Sequence, residues 1–550
     1  PTLKNGFMQD KMCDVGAVSN TDTFIKQGAY NTETATSWSW GALKNVNYFI
    51  DGCNDPKYCT VEAETRDNYL GIARWFRAWF YYDKLTTYGE VPWFPNDIQS
   101  YQNDVMYKDR DSRDVIIRNL IADLDFAYEH IQATSSTGSA TLTRWAAAAL
   151  KSRVCLFEAA YRRYHNLTGL EITPEELYRE AAKAAKLVID NSGCSLNTAA
   201  GKKGAYRDLF YSETPLTQEV ILAVCANEKS GIFGEQNWWF NARSYGLCWS
   251  LVRSFVHTYL KQDGTPFTAA ADYAVKSFAE EMEGRDLRLE QTVRGRNFLW
   301  DGKTAVADIK NLSLTGYQVI KYTLDESKYD GGAKNINSIP LIRYAEVLLN
   351  YAEAQAELGV ITDSEWALTV GALRKRAGIT GGTETLPTTV DSYLQRTFYP
   401  DVTSPVLLEI RRERAIELVA EGMRFDDLRR WKCGSLMETL PWSGIHIPGL
   451  EQPVDVNGDG VNDYYFTEGE VASAPAAYKN IAVRVNQDGV GLYAEANPVS
   501  GYDLVYKTGA GDRYWYPDGR QYLYPIPAKV IRDYRNAGYT ISQNPEWDNE

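Results

Sequence analysis

The chain has 550 residues and a formal net charge of −14. That length suffices for a large core and allows about two to four domains, while the acidity disfavours a nucleic-acid backbone or an anionic membrane surface as partner. No stretch approaches the roughly 18–20 consecutive apolar residues of a membrane-spanning helix, and Pro1-Thr2-Leu3-Lys4 does not read as a signal peptide, so any targeting segment is expected to be already removed or never present. Aromatics are plentiful, with 15 Trp, 37 Tyr and 18 Phe, which suits ring-shaped ligands as well as a large helical core. Eight cysteines are scattered along the chain. Only Cys53 and Cys59 lie close enough to pair, and no Cys/His metal spacing occurs.

Taken in order, residues 1–36 are polar and weakly patterned. Trp40, Leu43, Val46, Asn47 and Ile50 recur at helical intervals, and Asp51–Pro56 is a turn cluster. One long helix is expected over 61–88, with an aromatic face at Ile72, Trp75, Phe76, Trp79, Phe80 and Asp83 that reads as core. Helices follow over 111–132, capped by Ser112, over the alanine-rich 143–164, and over 175–192. From about 215 to 330 the pattern loosens. Glu219–Val224 fits strand or helix, and a helix is expected around Leu251–Leu260. Helical order returns over Ile339–Gly359 and 364–377. Helix pairs of this kind look like tetratricopeptide units, although no strict period is visible in the letters. The stretch 433–520 is again loop-rich.

The densest block is Leu408–Trp431. It reads as a helix over about 405–420, a break at Gly422 and a short second helix to Trp431. Helical spacing lets Asp426 reach Arg429 or Arg430, and Arg414 reach Glu417. Apolar and charged residues interleave so closely that some charges must lie beside the core, where they need partners. The block therefore reads as a paired structural network rather than a catalytic centre, with Arg343 among its expected partners.

A search for chemistry finds little. The four histidines, His130, His165, His257 and His446, have no second ligand at metal spacing, and no nucleophile elbow or phosphate-binding glycine loop is present. A carboxylate pair for glycoside hydrolysis cannot be selected from 72 acidic residues. One sharp motif is Asp455-Val-Asn457-Gly-Asp459-Gly-Val461-Asn-Asp463. It places oxygen donors at alternate positions, with Val461 offering a backbone carbonyl, and so resembles a short structural Ca²⁺ loop. Position 12 is Phe466 rather than the Glu of an EF-hand, and the alternative is an Asn/Asp/Gly turn. For ligand contact, the aromatics of poorly patterned stretches are the candidates: Trp38, Trp238, Trp239, Tyr245, Trp249 and Trp300. A buried loop anchor is the alternative for each. Trp238-Trp239 is the strongest pair, because adjacent residues do not easily both enter one core.

Several stretches together resemble the SusD/RagB family of Bacteroidetes glycan-binding outer-membrane lipoproteins. They are Ala73–Tyr82 with Tyr88-Gly-Glu-Val-Pro92, Ile339–Leu349, Leu373-Arg-Lys-Arg-Ala-Gly378, Glu413–Trp431, Tyr524-Pro-Ile-Pro527 and Gln543-Asn-Pro545. The resemblance implies a mostly α-helical, SusD-like fold forming a single unit over 1–550. Tetratricopeptide-like helix pairs over 40–200 and 335–432 would form the scaffold, and 201–334 with 433–550 a loop-rich half carrying the glycan face and few short strands. It also implies a lipid-anchored protein of the bacterial outer-membrane surface, an oligosaccharide or polysaccharide ligand, delivery to a SusC-like TonB-dependent transporter, and no enzymatic activity. The acidic composition makes a neutral sugar the expectation. The competing readings are a protein-binding tetratricopeptide scaffold and an α-helical glycoside hydrolase.

Overall fold

The computed structural model describes residues 11–135, 137–241 and 247–548. Its scaffold is a succession of helices, each laid against the next. Helix α1 (Gly41–Asn54) packs on α2 (Ala63–Tyr88), α2 on α3 (Arg113–His130), α3 on α4 (Arg144–Tyr164), and α4 on α5 (Pro174–Asn191). The sequence explains the ends. Gly89, at φ 73°, closes α2 by donating its N–H to Leu85, a conformation that glycine adopts without penalty. The Ser112 hydroxyl caps α3 by accepting from the Val115 N–H. Thr173 and Glu176 form a reciprocal capping box ahead of Pro174 on α5. On α4, Ala146 to Ala149, Ala159 and Ala160 are all buried, and their small side chains let neighbouring helices approach closely.

The chain then changes character. Strand β1 (Val220–Val224) pairs antiparallel with β2 (Ile339–Arg343), so the start of the 339–359 stretch is strand and not helix. Pro340 cannot donate within a helix interior, and Val220–Val224 supplies a strand partner. Helix α6 (Tyr344–Glu357) begins only after Arg343. The helix expected over 251–260 contracts to Arg253–Val256. The one expected over 364–377 breaks into Asp363–Leu368 and Val370–Arg376 at Thr369. Helix α6 packs on both α5 and α7 (Pro405–Glu417), and α8 (Arg424–Arg430) packs on α4. Short sheets complete the chain, one of Ser443–Ile447, Tyr502–Tyr506 and Leu492–Ala496, another of Pro453–Val454, Tyr464–Thr467 and Ala482–Arg484. The last helix is α9 (Ala528–Asn536). None of the described helices is long and apolar enough to cross a membrane.

Beneath α7 and α8 lies a buried ionic lattice. Arg343 bonds Glu219 at 2.8 Å, Glu417 at 2.8 Å and Glu421 at 2.7 Å. Glu417 also takes Arg288 at 2.8 Å and pairs with Arg376. Although burial opposes it, Arg376, Arg343 and Arg288 together hold the Glu417 carboxyl well below the usual carboxylate range. The expected Arg414–Glu417 pair does not form. Arg414 turns to Asp427 at 2.8 Å, which also takes Arg430 at 2.9 Å, so α7 and α8 are tied across the break at Gly422. Asp426 does reach Arg429, at 2.5 Å. One cation differs: Arg411, buried on α7, makes no ion pair among the described residues and lies 4.4 Å from the Trp431 ring, 4.9 Å from Tyr164 and 5.2 Å from Tyr399.

Candidate functional site

Three separate parts of the chain, within 33–47, 94–107 and 527–534, meet to form a cleft of about 780 Å³, within the size range of small-ligand sites. One wall is the segment leading into α1. Asn31 organises it by accepting the N–H groups of Glu33 and Thr34, and Trp38 and Trp40 follow, both half-buried. Their rings meet edge to face at 5.3 Å. Trp40 also packs on Phe94 at 5.2 Å and Phe80 at 5.6 Å, and Trp38 on Tyr88 at 4.9 Å. Asn47 on α1 is buried and fixes the floor by donating to the Phe94 carbonyl at 2.8 Å and the Asn96 carbonyl at 3.0 Å. The facing wall is α9 with Pro527. Its Tyr534 lies edge-on to Tyr107 at 5.1 Å, and Tyr107 stacks on Tyr539 at 5.3 Å.

The rim is charged, and most of that charge is internally paired. Arg532 bridges to Glu33 at 2.5 Å, and Lys529 to Asp533 at 2.6 Å. Lys44 faces the cleft, exposed, and has no ion pair among the described residues. Flat apolar rings beside amide, hydroxyl and charged groups can stack on the C–H face of a ring ligand and bond its hydroxyls.

Of the aromatics singled out from sequence, Trp38 alone lines this cleft. Trp249 is 2 % exposed and is a core residue, not a ligand platform. Its indole fills the space over Gly16, where an added Cβ would lie 2.2 Å from the Trp249 Nε1, on the strand pair Gly16–Ala17 and Ser250–Leu251. Trp238 and Trp239 sit half-buried on the short helix Gln236–Asn241, with rings 4.8 Å apart and edge to face. Two residues of that helix, Asn237 and Asn241, donate to Asp330 at 3.1 Å and 3.2 Å. Burial raises the Asp330 carboxyl, opposed by these two amides and by Arg294. Arg294 lies 5.2 Å from the Trp300 ring. Asn237 and Asn241 thus tie the helix that bears Trp238 and Trp239 to Asp330, and none of Trp238, Trp239 and Trp300 lines the cleft. Tyr245 lies outside the described residues. Sequence reading passed over Trp40, Phe94, Tyr107, Tyr534 and Lys44. The alternation Trp38-Ser-Trp40 was the available local signal, since a helix interior would not place both rings on one face.

In the loop 455–463 the acidic side chains close the turn. Asp455 accepts from Gly458 N–H at 2.7 Å and Gly460 N–H at 2.8 Å, and Asp463 from Val456 N–H at 2.8 Å. Asn457 accepts from Asp459 N–H at 3.2 Å, and Val461 N–H donates to Asp459 at 2.9 Å. Burial pushes the Asp463 carboxyl up, and the charges of Asp455 and Asp459 push in the same direction. The donors are hard oxygens of the kind Ca²⁺ takes. No three acidic, His or Cys side chains among the described residues converge as a metal cluster. Cys53 and Cys59 are free thiols.

A stack of helices with few short strands, joined to an irregular half, is the SusD-like fold. Residues 218–547 match the model of the SusD family, and the chain belongs to that family. Among solved structures it is similar to a SusD-like carbohydrate-binding protein from Bacteroides fragilis, at 18% identity and TM-score 0.67, covering 96% of this chain and 91% of that one. A laminarin-binding SusD-like protein matches at 14% identity and TM-score 0.57, covering 99% and 95%. A SusD superfamily protein from Bacteroides vulgatus matches at 15% identity and TM-score 0.57, covering 98% and 93%. No curated protein sequence matches the chain.

Proposed function

We propose that this protein captures oligosaccharides at the bacterial cell surface, held there by a lipid anchor, and passes them to a SusC-like TonB-dependent transporter. The observation that carries the capture step is the cleft walled by Trp38 and Trp40 on one side and by Tyr534 on the other. Family membership and the carbohydrate-binding character printed for a solved relative support it. We read the protein as a binder and not a hydrolase. Glycoside hydrolysis uses one carboxyl kept protonated near neutral pH, whereas the cleft's acids, Glu33 and Asp533, are each tied to a cation. Titrating a broad oligosaccharide panel by calorimetry or tryptophan fluorescence tests the reading. Binding that weakens in Trp38→Ala supports it, whereas release of reducing ends or silence across the panel counts against it. Delivery is tested by co-purification with a SusC-like transporter. We also propose that the loop 455–463 takes a structural Ca²⁺, on the strength of its hard oxygens and of an Asp463 carboxyl raised by burial and by the charges of Asp455 and Asp459.

A further inference from the structure

Trp40 is shared between the cleft and a buried cation. Behind it, Lys84 of α2 is 6 % exposed, and its ammonium lies 5.3 Å from the Phe80 ring, 5.5 Å from Tyr88 and 5.8 Å from Trp40. No hydrogen bond or ion pair to a described residue holds it. Burial pushes the Lys84 ammonium's pKa down, and its chain neighbour Asp83 attracts it through space. Ring faces offset part of the cost of desolvating a cation, at distances near the outer limit of that effect. Lys44 of α1 lines the same cleft, exposed, and makes no ion pair among the described residues. Trp40 thus packs against one lysine and shares the cleft wall with another, in a chain whose net charge is −14. The other rim cations, Arg532 and Lys529, are neutralised by Glu33 and Asp533.

From this arrangement we infer that the cleft selects an acidic glycan, one whose ring lies against Trp38 and Trp40 and carries a carboxylate or sulfate toward Lys44. Lys44 is the contact residue. Lys84 is a positioning residue, acting through the indole wall where low polarity leaves its field poorly screened. The inference rests on the reading of the cleft as a glycan site, and it reverses the neutral sugar that overall charge suggests, because local unpaired charge governs a bound group more than the distant net charge does.

The test uses two probes with the same rings, trigalacturonate and its fully methyl-esterified form, titrated into the full chain at low and high salt. The acid is expected to bind about tenfold more tightly than the ester at low salt, a preference that salt erodes. Lys44→Gln and Lys84→Met are each expected to draw the acid's affinity toward the ester's, and Lys84→Arg to restore it. Because Lys84 is buried, its variants are first checked by thermal unfolding, and Lys44→Gln, at an exposed position, carries the test if they misfold. Equal binding of acid and ester, or an acid preference that survives Lys44→Gln, overturns the inference and leaves glycan capture standing. So does binding of neutral panel sugars with neither probe bound. Absence of binding by every glycan, acidic or neutral, removes the glycan site itself.

Discussion

The interior beneath α7 and α8 and the wall of the cleft are both rich in cations, and they treat them in opposite ways. Around Glu417, three arginines share a carboxylate that accepts from each of them. Around Trp40, Lys84 lies against the indole and Lys44 shares the cleft wall, and neither makes an ion pair among the described residues. A buried charge without a partner is costly. The Glu417 region matches its buried cations with carboxylates, whereas Lys84 is left to aromatic faces and the exposed Lys44 to the space of the cleft. Arg411 shows the structural counterpart. It too makes no ion pair among the described residues, but it is buried and enclosed by Tyr164, Tyr399 and Trp431, so its aromatic cage reads as packing.

Breaking the lattice gives the largest expected effect. Glu417→Gln removes a charge that Arg288, Arg343 and Arg376 share, leaving buried guanidinium groups undercompensated, and should cost about 3–5 kcal/mol of stability in urea or guanidinium unfolding. A loss below about 1 kcal/mol would mean that water or rearranged carboxylates replace it, and the contrast between the two regions would lose its basis. Acidification attacks the same interior. Burial pushes the His165 imidazole down to about 4 from 6.5, so between those values the unfolded chain binds the extra proton and the folded chain does not. Stability therefore falls as pH drops from 6.5 toward 4, by about 3 kcal/mol for this group alone. Below 4.5, protonation of Glu417 in the unfolded chain adds to the loss, because its folded pKa is depressed. Unfolding midpoints measured from pH 7 to 4 check the sign, and a midpoint rising on acidification would refute it.

Much of the lattice was legible in sequence and most of the cleft was not. The break at Gly422 followed from local chemistry, and the participation of Arg343 followed from the need to pair buried charge. Arg414 and Glu417 were assigned to one another because they stand one helical turn apart. In the folded chain both point inward and find partners on other elements, which helical spacing cannot foresee. The strand at Ile339–Arg343 was hidden for a similar reason. A short apolar run fits either period, and the choice was made by Val220–Val224 across the sheet. The cleft joins residues 33–47 to 527–534, and no local pattern links two segments near opposite ends of a chain. Trp249 looked available because its surroundings lack pattern, yet the glycine that makes room for its ring sits at position 16.

At the cleft, the effect is smaller and falls on affinity rather than stability. Trp38 is half-buried at the cleft's mouth, so Trp38→Ala should weaken oligosaccharide binding about tenfold or more while leaving the unfolding midpoint within about 0.5–1 kcal/mol of the parent. Trp238→Ala, on the helix tied to Asp330 and outside the cleft lining, serves as the control. If it weakens binding more than Trp38→Ala does, the ligand lies on that second surface and the cleft is the bystander.

The Ca²⁺ loop sets the smallest expectation. Burial raises the Asp463 carboxyl, the charges of Asp455 and Asp459 add to that, and a cation bound among the three would relieve the repulsion. Stabilisation by a bound ion grows only with the logarithm of its concentration over Kd, about 2.7 kcal/mol at a hundredfold excess. A chain of 550 residues unfolding as one unit has an entropy of about 1.2 kcal/mol per kelvin at its midpoint, so the chelator-induced fall in Tm is only about 2 °C. Asp463→Asn should abolish that fall, and it should also raise the chelated protein's Tm slightly, because it removes the half-buried charge that the other two acids oppose. A Tm indifferent to chelator, combined with a gain from Asp463→Asn in every condition, would make the loop a turn strained by its own acids, with its carboxylates serving the backbone N–H groups they already hold.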